Sequence, residues 1–180
     1  MDLSSSTLKL RGGLTLYPSQ IQAIEKLMDD LVEKLPAPFA FLVEGSGQTI
    51  SFVGKRWSNG KEIDVTALGA LVAADMAASQ EIARLTGEYQ AYQLVLRQGE
   101  TASTFISEVG KSMALLVQVS RDVPMGWARI HIIETAQKIA DAVMRVNVDD
   151  ESKLEILDDN LQELLNSSLD SMWSEDSDVR

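Results

Sequence analysis

Phe39-Ala40-Phe41-Leu42-Val43-Glu44-Gly45-Ser46-Gly47-Gln48-Thr49-Ile50-Ser51-Phe52-Val53 reads as a β-hairpin whose first arm is apolar at every position. A strand with one wet face alternates apolar and polar residues. Phe39 to Val43 does not alternate, so it predicts a strand covered on both faces. Glu44 to Gly47 supplies the turn, and Gln48 to Val53 returns as a second strand. Met113-Ala114-Leu115-Leu116-Val117 is another continuous apolar run and predicts a second central strand. A sheet with such strands needs a helical layer on each face.

The flanking segments supply those layers. Pro18 suits a first helical turn. Ile21, Ile24, Leu27, Met28, Leu31, Val32 and Leu35 then form one apolar stripe that Pro36 and Pro38 stop. Past the loop Trp57-Ser58-Asn59-Gly60, Asp64 is a good N-cap for a helix that Gly87 ends. On that helix Leu68, Leu71, Val72, Met76, Ile82 and Leu85 recur at near-helical spacing and are expected to face a core. Ala67, Gly69, Ala70, Ala73, Ala74, Ala77 and Ala78 lie around them. Such small side chains let another backbone approach closely, although Ala is also simply the best helix former.

Further on, Tyr92, Leu94 and Leu96 alternate with Gln93, Val95 and Arg97 as a strand with unequal faces would. Gln98-Gly99-Glu100 turns the chain, Thr101 to Val109 is the next strand, and Gly110-Lys111 turns it again. Ala128, Ile132, Ile133, Ala136, Ile139, Ala140 and Val143 form a last amphipathic helix. The order helix, two strands, helix, three strands, helix predicts an α/β three-layer sandwich around a five-stranded, mostly antiparallel sheet.

Charge divides the chain. Of the net −11, residues 149–180 carry 11 acids and 2 bases, a net −9, while residues 1–148 are close to neutral. Leu154, Leu157, Leu161, Leu164, Leu165 and Leu169 keep helical spacing among those acids. The expected organisation is a flexible arm over 1–16, with an added edge strand as the alternative, then a domain over 17–148. An acidic amphipathic helix and a disordered tail follow over 149–180. An acidic chain with no basic patch is a poor nucleic-acid partner. The start Met1-Asp2-Leu3-Ser4-Ser5-Ser6 has no basic or apolar region of a signal peptide. The apolar stretch Ala67 to Ala74 is too short to cross a membrane. The expectation is a cytoplasmic protein without membrane insertion.

No catalytic pattern emerges. There is no Cys, hence no disulfide and no thiolate ligand or nucleophile. Gly110-Lys111-Ser112 fails as a phosphate-binding loop, because Phe105 stands where the first Gly is required and strands flank the motif on both sides. Gly54-Lys55-Arg56 lacks the Ser or Thr that would reach Mg²⁺. His131, the single histidine, sits on the flank or exposed side of the last helix. No catalytic residue, cofactor or metal is expected, and the chain is not expected to be an enzyme.

Three segments carry a likeness to a known family: Phe41 to Ser51, Ile63 to Leu71, and Ala73-Ala74-Asp75-Met76-Ala77-Ala78. Ile82-Ala83-Arg84-Leu85-Thr86-Gly87-Glu88 and the helix from Gly126 to Val143 fit as well. Over about residues 17–146 the chain resembles the Roadblock/dynein light chain family, in its bacterial MglB type. The resemblance implies a homodimer whose edge strands pair across a two-fold axis, with the two small-residue helices side by side. It further implies a small Ras-like GTPase, of the MglA kind, as partner in a cell-polarity or gliding-motility system. There the MglB type stimulates GTP hydrolysis by reshaping the partner's own active site. The alternative is a Roadblock scaffold that binds a GTPase or signalling complex without activating it. Ala70, Ala73, Ala74, Ala77, Gln80 and Arg84 are the candidate partner-binding residues on the shared helical platform. Arg84 admits the reading of an arginine finger, set against that of a solvated Arg near a helix C-terminus. The acidic helix is a further possible contact with the GTPase.

Overall fold

Two runs of apolar residues, each buried along both faces, organise the molecule. The computed structural model describes residues 7–55, 57–58, 61–87 and 94–145. Contacts divide the chain between Met144 and Arg145, and the first unit, Met1–Met144, holds every element described below. In chain order these are β1 (Leu8–Lys9), β2 (Thr15–Leu16), α1 (Pro18–Lys34), β3 (Phe39–Glu44), β4 (Thr49–Gly54), β5 (Trp57–Ser58), β6 (Lys61–Glu62), α2 (Val65–Thr86), β7 (Leu94–Gln98), β8 (Ala102–Val109), β9 (Met113–Ser120) and α3 (Met125–Met144). The expected acidic helix over 149–180, residues 1–6, Glu88 and the strand start at Tyr92 lie outside the described residues.

The main sheet has the order β4-β3-β9-β8-β7, and every neighbouring pair is antiparallel. The three-layer α/β expectation is met. Every residue of β3 is buried. Its side chains alternate between two cores, as the two-residue period of a strand requires. Phe39, Phe41 and Val43 pack with Val72 and Met76 of α2 and with Ile106, Ala114 and Leu116. Ala40 and Leu42 join Ile24, Met28 and Leu31 of α1 and Ile132, Ala136 and Ile139 of α3 on the other face. One face of the sheet therefore carries two helices and the other carries one.

A buried amide ties the two-helix layer together. Gln20 is 5% exposed. Its Nε2 donates to the carbonyl of Val143 at 2.8 Å, and its Oε1 accepts from the backbone N–H of Tyr17 at 2.9 Å. The same side chain thus caps the start of α1 and satisfies a carbonyl in the last turn of α3, groups that helix ends leave orphaned.

The sequence reading needs three corrections. Residues 8–16 are not a loose arm and do not extend the main sheet. β1 and β2 pair with each other, and Leu10 and Leu16 enter the α1–α3 core. The expected loop at Trp57 contains paired backbone, because β5 and β6 form a two-residue ladder. The apolar stripe of α2 is only partly interior. Val72 and Met76 are buried, whereas Leu71, Ile82 and Leu85 are 67%, 51% and 69% exposed. The reason is that α2 lies against β3, β4 and β9 as a single helix with no helical neighbour on that face among the described residues.

The ends of α2 are set as its caps foretold. The Asp64 side chain accepts from the N–H of Ala67 at 3.0 Å, and Gly87 takes a left-handed φ of 78°. Near its start the helix meets the β3–β4 turn backbone to backbone. A Cβ on Gly69 would collide with the carbonyl oxygen of Gly47. Gly69→Ala gains about 1 kcal/mol of helix propensity. The overpacking against a fixed carbonyl costs about 1–3 kcal/mol. The expected outcome is net destabilisation, read as a lower urea midpoint at unchanged slope; a raised midpoint would mean that the contact is not tight.

Candidate protein-interaction site

The exposed side of α2 has two flanks. Ala70, Ala73, Ala77, Gln80 and Arg84 recur at three- and four-residue spacing and share one of them. Ala73 is half-buried there and the other four are exposed. Leu71, Ala74, Ala78, Ile82 and Leu85 follow the same spacing on the second flank, and all are exposed. The sequence-predicted platform is therefore split, since Ala74 belongs to the second flank. Leu71, Ile82 and Leu85 were not foreseen as surface residues. Their size and spacing are also those of core positions, and what distinguishes the two is that no second helix lies on this face among the described residues.

The N-terminal part of the second flank, Leu71 and Ala74, borders a groove of ≈ 440 Å³. Leu68, Leu71, Val72, Ala74 and Asp75 come from α2, and Arg97, Thr104, Ile106 and Leu116 from β7, β8 and β9. The lining is apolar apart from Asp75, Arg97 and Thr104. β7 ends the strand order, so its outer edge has no neighbouring strand among the described residues. An exposed apolar helix face and an open strand edge thus lie side by side.

The groups with chemistry are committed elsewhere. Arg84 donates Nη2 to Glu81 Oε1 at 2.6 Å and Nε to Oε2 at 2.9 Å. Gln80 Nε2 donates to Glu108 Oε1 at 3.3 Å. His131 stacks edge-on with Trp127 at 4.7 Å between ring centroids and lies 3.6 Å from a Glu134 oxygen. Glu44, 3% exposed, accepts from the N–H of Ser46 at 2.9 Å and from its hydroxyl. Its carboxylate fills the place a side chain at Gly12 would need. Lys111 sits in the tight turn between β8 and β9, where Gly110 has φ 61°. Among the described residues no three His, Asp or Glu side chains gather as a metal site, and no helix is long and apolar enough to cross a membrane.

No protein-family model and no curated protein matches the sequence. Solved structures do match. Myxococcus xanthus MglB is 28% identical over 66% of this chain and 92% of its own, with a TM-score of 0.60. The gliding protein MglB from Thermus thermophilus is 23% identical over 71% of this chain and 93% of its own, with a TM-score of 0.64. A Roadblock/LC7 domain from Streptomyces avermitilis is 17% identical over 67% and 97%, with a TM-score of 0.58. The chain has a Roadblock/MglB-type fold. Within this Roadblock/MglB-type fold the groove, the open edge of β7 and both flanks of α2 lie on the one-helix side or at its margin.

The Arg84–Glu81 pair has a readable electrostatic signature. The hydrogen bond from Arg84 holds the Glu81 carboxyl below its ordinary range, and the same bond raises Arg84. A carboxyl depressed on folding stabilises the fold above its ordinary range, and that gain disappears as pH falls through the depressed value. Both groups are fully exposed, so the gain is small. Carboxyl NMR of the wild type should show Glu81 titrating below an ordinary glutamate, and Arg84→Gln should return it to the usual range. An unchanged titration in the variant would show that the pair does not persist in solution.

Proposed function

We propose that this chain is a homodimeric regulator of a small Ras-like GTPase of the MglA kind, stimulating GTP hydrolysis by reshaping the partner's active site. It performs no catalysis of its own in this reading. The observation that carries it is the exposed apolar flank of α2 beside an open edge strand, on a Roadblock/MglB-type sheet. Exposed contiguous apolar surface marks association, and an open strand edge invites pairing. A two-fold axis through β7 satisfies both. Antiparallel pairing of β7 with a second copy continues the sheet and brings the second α2 to the same face, over the groove. The first flank of α2 then remains for the GTPase. The name gliding protein, borne by the Thermus relative, suggests a motility or polarity setting.

A scaffold that binds a GTPase without activating it is the second reading. It is favoured by the chemistry of the first flank, which offers three alanines, a hydrogen-bonded Gln and an Arg already tied to Glu81. Single-turnover hydrolysis with the cognate GTPase separates the two. The regulator raises the GTPase's turnover and hydrolyses nothing alone; binding without any change in turnover supports the scaffold. Micromolar binding of GTP by the isolated chain would overturn both.

Ala74→Glu tests the association face. A charge placed on the groove wall and covered by a second copy is desolvated without a partner. Sedimentation equilibrium should show the dimer weakened by roughly tenfold or more. A wild-type chain that sediments as a monomer at every concentration would sink the dimer.

A further inference from the structure

The groove beside α2 has one strongly polar crossing. Asp75 stands on its helical wall and Arg97 on its strand wall. Arg97 donates Nη1 to Asp75 Oδ2 at 3.1 Å, and its Nη2 donates to Oδ1. The fork is bidentate, the geometry in which a guanidinium and a carboxylate match best. Asp75 is 18% exposed and Arg97 56% exposed, so the pair has a dry end on the helix and a wet end on the edge strand. The hydrogen bond and the charge of Asp75 raise Arg97 above its ordinary range.

A cation on an edge strand ordinarily discourages strand pairing. Arg97 occupies the fourth of the five positions of β7, facing α2. Antiparallel pairing of β7 with itself sets residues of the same face opposite one another. The two Arg97 side chains of a symmetric pair then lie on one face, and closing the groove removes the water around each of them. An unpaired guanidinium is then buried without a counter-charge, whereas one held by its own Asp75 is not.

We infer that the Asp75–Arg97 pair is the specificity element of the self-association face, admitting a second copy because charge is balanced across the groove before it closes. This rests on the dimer reading given above. Burying a matched pair roughly breaks even against apolar replacements, whereas burying one half leaves an uncompensated charge. By symmetry a single substitution leaves that charge twice per dimer. Balance is therefore what association requires, and neither charge is needed alone.

Sedimentation equilibrium of the full chain tests this with Asp75→Asn, Arg97→Gln, the double variant and Arg97→Lys, each checked by circular dichroism for an intact fold. Each neutralising single variant should raise the dimer Kd by roughly tenfold or more, and added salt should recover part of that loss. The neutral double variant and Arg97→Lys should stay within about threefold of wild type. The inference is overturned if the wild type dimerises and both singles do so equally well. It is also overturned if the folded double variant, or Arg97→Lys, is as weak as Arg97→Gln, since the bonds of the pair and not its balance would then be needed. A monomeric wild type overturns the dimer reading itself, and this inference with it.

Discussion

Full burial of β3 is the constraint on which the rest of the molecule depends. A strand with no wet side must be covered twice, and the two-residue period sends Phe39, Phe41 and Val43 one way and Ala40 and Leu42 the other. Ala40 and Leu42 share their face with the larger core, which takes the stripes of α1 and α3 and the apolar residues of the first hairpin. Phe39 and Phe41 are the largest buried side chains on their own face, and their rings pack with Phe52. Among the described residues one helix covers the middle of the sheet but not its β7 side. The groove is the part of the sheet that a single helix leaves uncovered.

Much of this was legible from residue order. From the stripe, Ile21, Ile24, Met28 and Leu31 became the buried face of α1 and Leu35 is buried just past its end, while Asp64 caps the start of α2 through its side chain and Gly87 ends it in a left-handed conformation. Local signals sufficed there because caps and stripes are local physics. The outcome at Leu71, Ile82 and Leu85 was not legible. Apolar residues at helical spacing report that a face will be covered, and they do not say whether the cover comes from the same chain. Gln20 and Glu44 were equally silent, since a polar residue announces burial only through the partners that the fold brings to it. The two small hairpins escaped because strands of two residues are too short to show a period.

The candidate surface is thus physical before it is chemical. Its six foreseen residues divide between a flank of small and already paired side chains and a flank that helps to line the groove. The groove's charges stand in register across it, from helix to strand. Recognition on such a surface depends on shape, on the open hydrogen-bonding edge of β7 and on the cancelling of charge. None of these needs a reactive group.

The contact between Gly69 and the Gly47 carbonyl has an implication for how this surface can change over generations. The helix is seated near its start through backbone atoms, and backbone atoms are not altered by substitution elsewhere. A docking made of interlocking side chains drifts when any one of them is exchanged. Here the seat stays where it is while the outward residues of α2 are rewritten. New partners can be acquired by resurfacing the helix, with the sheet beneath serving as an unchanging chassis.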